Sequence, residues 1–336
     1  MSLRVLILLA VTITIATAIG CIALVQAIRR APLPRQGRKG RKAADMVPQG
    51  GGVAVIPVLC LGWFACVVLG LAPVGTCAGI LAMLGLAAVS LQDMRVGVAP
   101  LYRYTAQTVA VVLGLTFLPG AGHVFHSRLP VTVDLMLATA LWIGAMQATP
   151  WNDRREGLSA ISLMMMGIGT AAVAFLAGDR DSGAVGLGIV AAAVAIGYLP
   201  WAWPPSRLLL GTVGTIPLGY AMAWLLLSLA GTGRWAAALI LSGQVLGRLV
   251  WAARKRVAAD SAAPLAQPPP SRRQAKAKPK PPGAGLAQIT LAEASLVGLA
   301  CLSTAWPWPA LLAAAIVVIK LTRSLAGLSG LGFRWI

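Results

Sequence analysis

The chain has 336 residues, of which 58% are apolar and 11% charged, and its formal net charge is +19. Its mean hydropathy is +0.81. At this apolar content, long apolar stretches should dominate the chain, as they do in membrane proteins.

Eleven apolar segments approach the roughly 20 residues that a helix needs to cross a bilayer. They are Leu3–Ala27, Val53–Ala72, Val74–Leu91, Thr105–Val124, Val131–Thr149, Ala160–Ala177, Ala184–Leu199, Leu208–Ala230, Trp235–Trp251, Leu286–Ala305 and Trp308–Leu325. None alternates apolar and polar residues as a barrel strand does. The sequence therefore predicts an all-α, polytopic integral membrane protein that forms one multi-spanning domain over residues 1–336.

The positions of the cationic residues predict the orientation of these segments. The first apolar run is too long for a signal peptide and is followed, not preceded, by Arg29 and Arg30, so we expect a retained helix with the N-terminus outside. In that orientation the C-terminus is inside, and all but four of the 28 Lys and Arg residues lie on the inner side. We interpret the net charge as a topology signal that also attracts anionic membrane lipids, not as a nucleic-acid footprint.

The longest predicted cytoplasmic loop spans residues 258–285 and includes PPPSRRQAKAKPKPP. This basic segment is rich in Pro, Ala and Lys and has too few large apolar residues to form a core. We expect it to be extended or disordered.

Four polar or glycine-rich stretches lie on the predicted inner side. They contain Gly50–Gly52 before the second segment, Asp93 and Arg95 after the third, the run Asp153–Glu156 within ATPWNDRREGLSA after the fifth, and Arg207 and Thr212 at the start of the eighth. Each alone has an ordinary structural interpretation, as a flexible helix start or a solvated surface ion pair. Together, on one membrane face, they predict a polar site.

In this order the stretches resemble four motifs of the bacterial polyprenyl-phosphate N-acetylhexosamine-1-phosphate transferases, and the resemblance runs nearly end to end. Pro48–Gly52 resembles a Pro-Arg-Gly-Gly-Gly motif, and Asp93–Arg95, with Arg103 and Gln107, resembles an Asp-Asp-Arg motif. Gln147–Leu158 aligns without gaps to Asn-x-x-Asn-x-x-Asp-Gly-x-Asp-Gly-Leu. Pro205–Thr215 is similar to Pro-Ala-Arg-x-Phe-x-Gly-Asp-x-Gly-Ser.

The resemblance implies a multi-pass protein of the bacterial inner membrane that works in cell-wall or lipopolysaccharide synthesis. Family members use Mg²⁺ to transfer a sugar-1-phosphate from a UDP-N-acetylhexosamine to polyprenyl phosphate. By correspondence, Asp93 and Asp153 are the candidate catalytic residues, and Asp153 and the position of Thr212 are the candidate metal ligands. The candidate substrate contacts are Gly50, Gly51, Gly52, Arg95, Glu156 and Arg207.

The departures from the family pattern argue against an unchanged mechanism. Met94 replaces the second aspartate of one motif, Thr212 replaces the metal-binding aspartate of another, and Gln147 and Pro150 replace two asparagines. Residues 258–285 contain no histidine, although the family carries a histidine cluster in that loop. Mg²⁺ strongly prefers charged oxygen ligands, which thioether and hydroxyl groups do not supply.

Two interpretations follow. The chain is either a divergent but active transferase, or an inactive relative that binds a lipid-phosphate carrier or modulates an active protein partner in envelope synthesis. A transporter ranks third, because the sequence shows no clear internal repeat. Convergence of Asp93, Asp153 and Glu156 would favour the active enzyme.

Overall fold

The computed structural model describes residues 3–30, 49–118, 130–153, 157–179, 183–243 and 284–330. Over these ranges the chain forms eleven helical segments. In order they are α1 (Leu3–Arg30), α2 (Gly52–Val68), α3 (Thr76–Val96), α4 (Pro100–Phe117), α5 (Val131–Asp153), α6 (Leu158–Leu176), α7 (Ala184–Ala202), α8 (Gly211–Gly231), α9 (residues 235–243), α10 (Ala284–Leu302) and α11 (Pro307–Gly330). The predicted all-helical class is confirmed.

Within the described ranges, six helices are long and apolar enough to cross a membrane. The segments are Ile7–Ala27, Thr76–Val96, Val131–Pro150, Leu158–Leu176, Ala184–Ala202 and Gly211–Gly231. Gly52–Val68, Ile289–Leu302 and Pro307–Lys320 are shorter apolar helices. The structure supports a membrane protein, while the eleven spans and their orientation stay predictions, and the loop 258–285 lies outside the described residues.

Helix α4 begins and ends earlier than the predicted span Thr105–Val124. It starts at Pro100, which sits in the first turn after Ala99 and is preorganised for that position because its φ is fixed. It ends at Phe117, beyond which Leu118 is extended. The polar residues near its start lower the local hydropathy, so a prediction from hydropathy places the start of the helix too late.

Helix α8 lies at the centre of the described bundle and contacts α2, α3, α5, α6 and α7. Nearly all of its residues are buried. Tyr220 and Trp224 of α8 pack with Trp142 of α5, at centroid distances of 4.9 Å for Tyr220–Trp142 and 6.1 Å for Trp224–Trp142. The helix whose N-terminus carries Thr212 is therefore fixed on several sides along its length.

Small residues let two neighbouring helices, α6 and α7, approach closely. A Cβ added at Gly167 would lie 2.5 Å from the carbonyl oxygen of Gly188, and one at Gly188 would lie 2.6 Å from that of Gly167. Close backbone contact of this kind is a main source of helix association in lipid, where apolar side chains gain little by leaving the hydrocarbon.

Candidate functional site

The glycine-rich stretch before α2 lies directly against the loop between α7 and α8. Gln49 and Leu209 form an isolated parallel bridge. The N–H groups of Gly50 and Gly51 donate to the Leu209 carbonyl at 3.0 and 2.8 Å, and Gly52 N–H donates to the Leu210 carbonyl at 3.0 Å. Two stretches that are far apart in sequence are thus joined through their backbones.

Glycine at position 52 is required by the approach of α2 to α8. A Cβ there would collide with the backbone nitrogen and Cα of Gly214 and would lie 2.7 Å from the carbonyl carbon of Val213. Gly50, with φ of 132°, and Gly211, with φ of 68°, occupy backbone conformations that side chains disfavour. The three consecutive glycines therefore have a packing function, and their amides bond to carbonyl oxygens of the α7–α8 loop. Their predicted contact with substrate stays a prediction.

Asp153 connects the end of α5 to the start of α8. Its Oδ1 accepts a hydrogen bond from Leu210 N–H at 3.1 Å, and its Oδ2 accepts one from Gly211 N–H at 2.9 Å. The N-cap position of α8 is Leu210, whose side chain makes no capping bond. Asp153 thus supplies from another helix the acceptor that a capping side chain ordinarily supplies.

The Asp153 carboxyl lies beyond the end of the candidate span Val131–Pro150 and is only 8% exposed. Burial raises the pKa of Asp153 to about 6 from 3.8, although the hydrogen bonds from Gly211 and Leu210 act in the opposite direction. The cost of removing the charge from water exceeds what the two bonds and the positive end of the α8 dipole return.

The α7–α8 loop, residues 203–210, is also held by α7 itself. The buried Tyr198 hydroxyl donates to the Leu208 carbonyl at 2.7 Å. The amides of Arg207 and Leu208 donate to the Trp201 carbonyl at 2.9 and 3.2 Å. Sequence reasoning missed Tyr198; the available signal was a phenol in an otherwise apolar helix, since a buried hydroxyl needs a partner.

Burial alternates along this loop. The side chains of Leu208 and Leu210 are 0% exposed, whereas Arg207 and Thr212 are exposed. The buried leucines anchor the chain and leave the cation and the hydroxyl at the surface. In the sequence, Arg207 and Thr212 thus flank Leu209 and Leu210, whose carbonyl groups accept the hydrogen bonds from the glycine amides.

Asp93 serves the connection between α3 and α4. Its Oδ1 accepts a hydrogen bond from Val98 N–H at 2.9 Å, and its Oδ2 pairs with the Arg103 guanidinium at 3.0 Å. Arg95, in the last turn of α3, is exposed. The matched aspartate and Arg103 of one motif thus interact with each other.

We expect Arg103→Ala to lower the free energy of unfolding by less than about 1 kcal/mol, because the Arg103 side chain is 40% exposed and the pair is partly solvated. Denaturation in mixed micelles measures the difference, with Arg95→Ala as the exposed control. A loss well above that value would show that the pair is a main support of the α3–α4 turn.

Two glutamines from different motifs also meet. Gln147 of α5 donates from its side-chain amide to the Gln107 carbonyl oxygen of α4 at 2.9 Å. Gln107 is buried, so an amide pair in this position satisfies polar groups that lipid cannot. Gln147, where the resembled motif has asparagine, thus forms a hydrogen bond from helix to helix.

The structure brings Gly50–Gly52, Asp153 and the α7–α8 loop into direct contact, but it gives Asp93 and Asp153 different partners. Glu156 lies outside the described residues. Among the residues that are described, no group of three or more His, Cys, Asp or Glu side chains is placed to hold a metal ion. Thr212 offers a hydroxyl group where the resembled motif has an aspartate, and Mg²⁺ prefers charged oxygen ligands. That Asp153 and Thr212 are metal ligands stays a prediction.

The family model of glycosyl transferase family 4 matches residues 76–230. The match begins at α3 and ends in α8, so it includes Asp93, Asp153, Arg207 and Thr212 and leaves out the glycine stretch before α2. No curated protein matches the chain significantly.

Proposed function

We propose, on the premise that residues 76–230 belong to glycosyl transferase family 4, that this protein binds a polyprenyl phosphate at the face where α2 and α8 begin and has lost efficient sugar-1-phosphate transfer. The family suggests sugar-phosphate transfer to polyprenyl phosphate, which gives the ligand class. We place the protein in the bacterial inner membrane, where it would hold the carrier or modulate an active protein partner.

The engagement of the two acidic side chains carries this proposal. Both oxygens of Asp153 accept backbone N–H groups of the α8 start, and both oxygens of Asp93 are used within the α3–α4 connection. A carboxylate that bridges Mg²⁺ to a diphosphate needs lone pairs directed at the ion. Here each of the four carboxylate oxygens already accepts one hydrogen bond from the protein, which leaves fewer lone pairs for an ion.

The exposed side chain of Arg207 supports the proposed binding of a lipid phosphate. Arg207 lies in a loop that is fixed through its neighbours, and its guanidinium offers planar donors suited to phosphate oxygens. The helices that flank it in the sequence, α7 and α8, are candidate membrane spans. The loop would therefore lie near the lipid that surrounds an isoprenoid tail.

One observation favours the alternative, an active transferase with a rebuilt acidic centre. The pKa of Asp153 is raised to about 6, and carboxyls with such displaced pKa values concentrate at functional sites. In that alternative Asp153 and Asp93 are catalytic, Glu156 assists, and UDP-N-acetylhexosamine is the donor. Mg²⁺ would supply charge stabilisation at the diphosphate.

The deciding experiment measures binding and transfer on the same purified protein in nanodiscs. We expect polyprenyl phosphate to bind at least about tenfold more tightly than the polyprenol of equal length, a difference of about 1.4 kcal/mol that one charge-assisted contact supplies. We expect no transfer of labelled sugar-1-phosphate from a panel of UDP-N-acetylhexosamines with Mg²⁺ or Mn²⁺.

Metal-dependent transfer that disappears in Asp153→Asn would overturn the binding proposal in favour of the active enzyme. Equal affinity for the phosphate and the alcohol would remove the lipid-phosphate ligand altogether.

A further inference from the structure

The loop between α7 and α8 is held before any ligand arrives. Its partners lie on three separate elements: the Tyr198 hydroxyl on α7, the Asp153 carboxylate at the end of α5, and the glycine amides before α2. Two loop side chains, those of Leu208 and Leu210, are fully buried. These contacts hold the loop in one conformation in the protein without a ligand, so the conformational entropy of the loop is lost on folding.

We propose that Tyr198 and Asp153 are positioning residues, which fix the α7–α8 loop so that the Arg207 guanidinium is presented to the phosphate of a lipid-linked ligand. The identity of the ligand as a lipid phosphate rests on the proposed function. The fixed loop does not, since it follows from hydrogen bonds within the protein.

These three hydrogen bonds act at the buried anchors Leu208 and Leu210 and at the adjacent Gly211. Tyr198 holds the carbonyl of Leu208, the residue that follows Arg207, at 2.7 Å. Asp153 holds the amides of Leu210 and Gly211, which begin α8 and precede Thr212. The exposed residues Arg207 and Thr212 therefore lie directly before and directly after the residues that these bonds hold.

Fixing a loop in its binding conformation raises affinity without adding a contact, because the loop loses no further conformational entropy when the ligand binds. Arginine side chains are long and lose much rotamer freedom when they pair. A backbone held near Arg207 limits that loss to the side chain itself. Tyr198 thus acts on the ligand only through Arg207.

Hydrogen–deuterium exchange of the whole protein in detergent tests the fixed loop directly. Tyr198→Phe is expected to accelerate exchange in peptides covering residues 203–212 by about tenfold, the effect of losing roughly one net hydrogen bond. Asp153→Ala removes two hydrogen bonds and is expected to accelerate exchange there at least as much. Tyr220→Phe is the matched control. Its buried hydroxyl makes no hydrogen bond within the described part of the chain, and it should leave these peptides unchanged.

Binding of polyprenyl phosphate tests whether the fixed loop acts through Arg207. We expect Tyr198→Phe to weaken binding about fivefold and Arg207→Ala about tenfold or more. The double variant should bind no more weakly than Arg207→Ala alone, because removing the guanidinium removes the group that Tyr198 positions.

Unchanged exchange in both Tyr198→Phe and Asp153→Ala would overturn the proposal. So would a double variant in which the two losses multiply, since Tyr198 would then act independently of Arg207. If the unmodified protein does not prefer polyprenyl phosphate over polyprenol, the proposed function fails, and the exchange result alone then decides whether the two residues fix the loop.

Discussion

Replacing Gly52 by alanine is expected to lower the free energy of unfolding by about 3 kcal/mol or more. The added methyl group would collide with the nitrogen and Cα of Gly214. Both clashing groups are backbone, so relief requires that α2 and α8 separate. Separation would break the bonds from Gly50 and Gly51 to Leu209 as well.

Unfolding in mixed micelles and the yield of monodisperse protein measure this effect. Gly85→Ala is the matched control, since a Cβ at Gly85 of α3 meets nothing within 4 Å. It should be neutral or stabilising by up to about 1 kcal/mol, from helix propensity. Similar stabilities for the two variants would mean that α2 and α8 are not in the described contact.

The second large effect is a dependence of stability on pH through Asp153. The pKa of its carboxyl is raised from 3.8 to about 6, mainly by burial. A raised folded-state pKa means that the folded protein binds more protons than the unfolded chain between these values. The stability contribution is therefore fully present below about pH 3.8 and is lost as pH rises through about 6.

The loss amounts to about 3 kcal/mol, at 1.36 kcal/mol for each unit of pKa displacement. The measurement is the free energy of unfolding of the unmodified protein relative to Asp153→Asn at several pH values between 4 and 7. Asparagine does not titrate, so other ionisable groups cancel in the difference. A difference that stays constant across this range would show that Asp153 is not held in the buried environment described.

The sequence was sufficient to predict a helical membrane protein and to select the stretches that contain the candidate site residues. Apolar runs near 20 residues have few alternatives to helices in lipid, because every backbone amide must be satisfied internally. The predicted boundaries of α4 were wrong for a local reason. Polar residues at its start lower the local hydropathy, whereas Pro100, which favours the first turn of a helix, marks the observed start.

The role of each site residue required the tertiary structure. Nothing in the letters of Gly50–Gly52 shows that their amides bond to Leu209 and Leu210, more than 150 residues away in the chain. Asp153 matches an aspartate of the family motif, yet its oxygens are directed at the backbone of α8. Tyr198 gave no motif signal, although it holds the same loop.

By itself, the sequence predicted an all-helical membrane protein and the stretches that resemble transferase motifs, and the family 4 model matches residues 76–230. Hydropathy is a property of each segment alone, and a motif match compares residue types in order along the chain. Only the tertiary structure decided that Asp153 caps α8 and that Asp93 pairs with Arg103. It also decided that the backbone of Gly214 packs against Gly52, where a side chain would not fit. Those roles depend on which helix ends meet, and packing between distant segments sets that geometry.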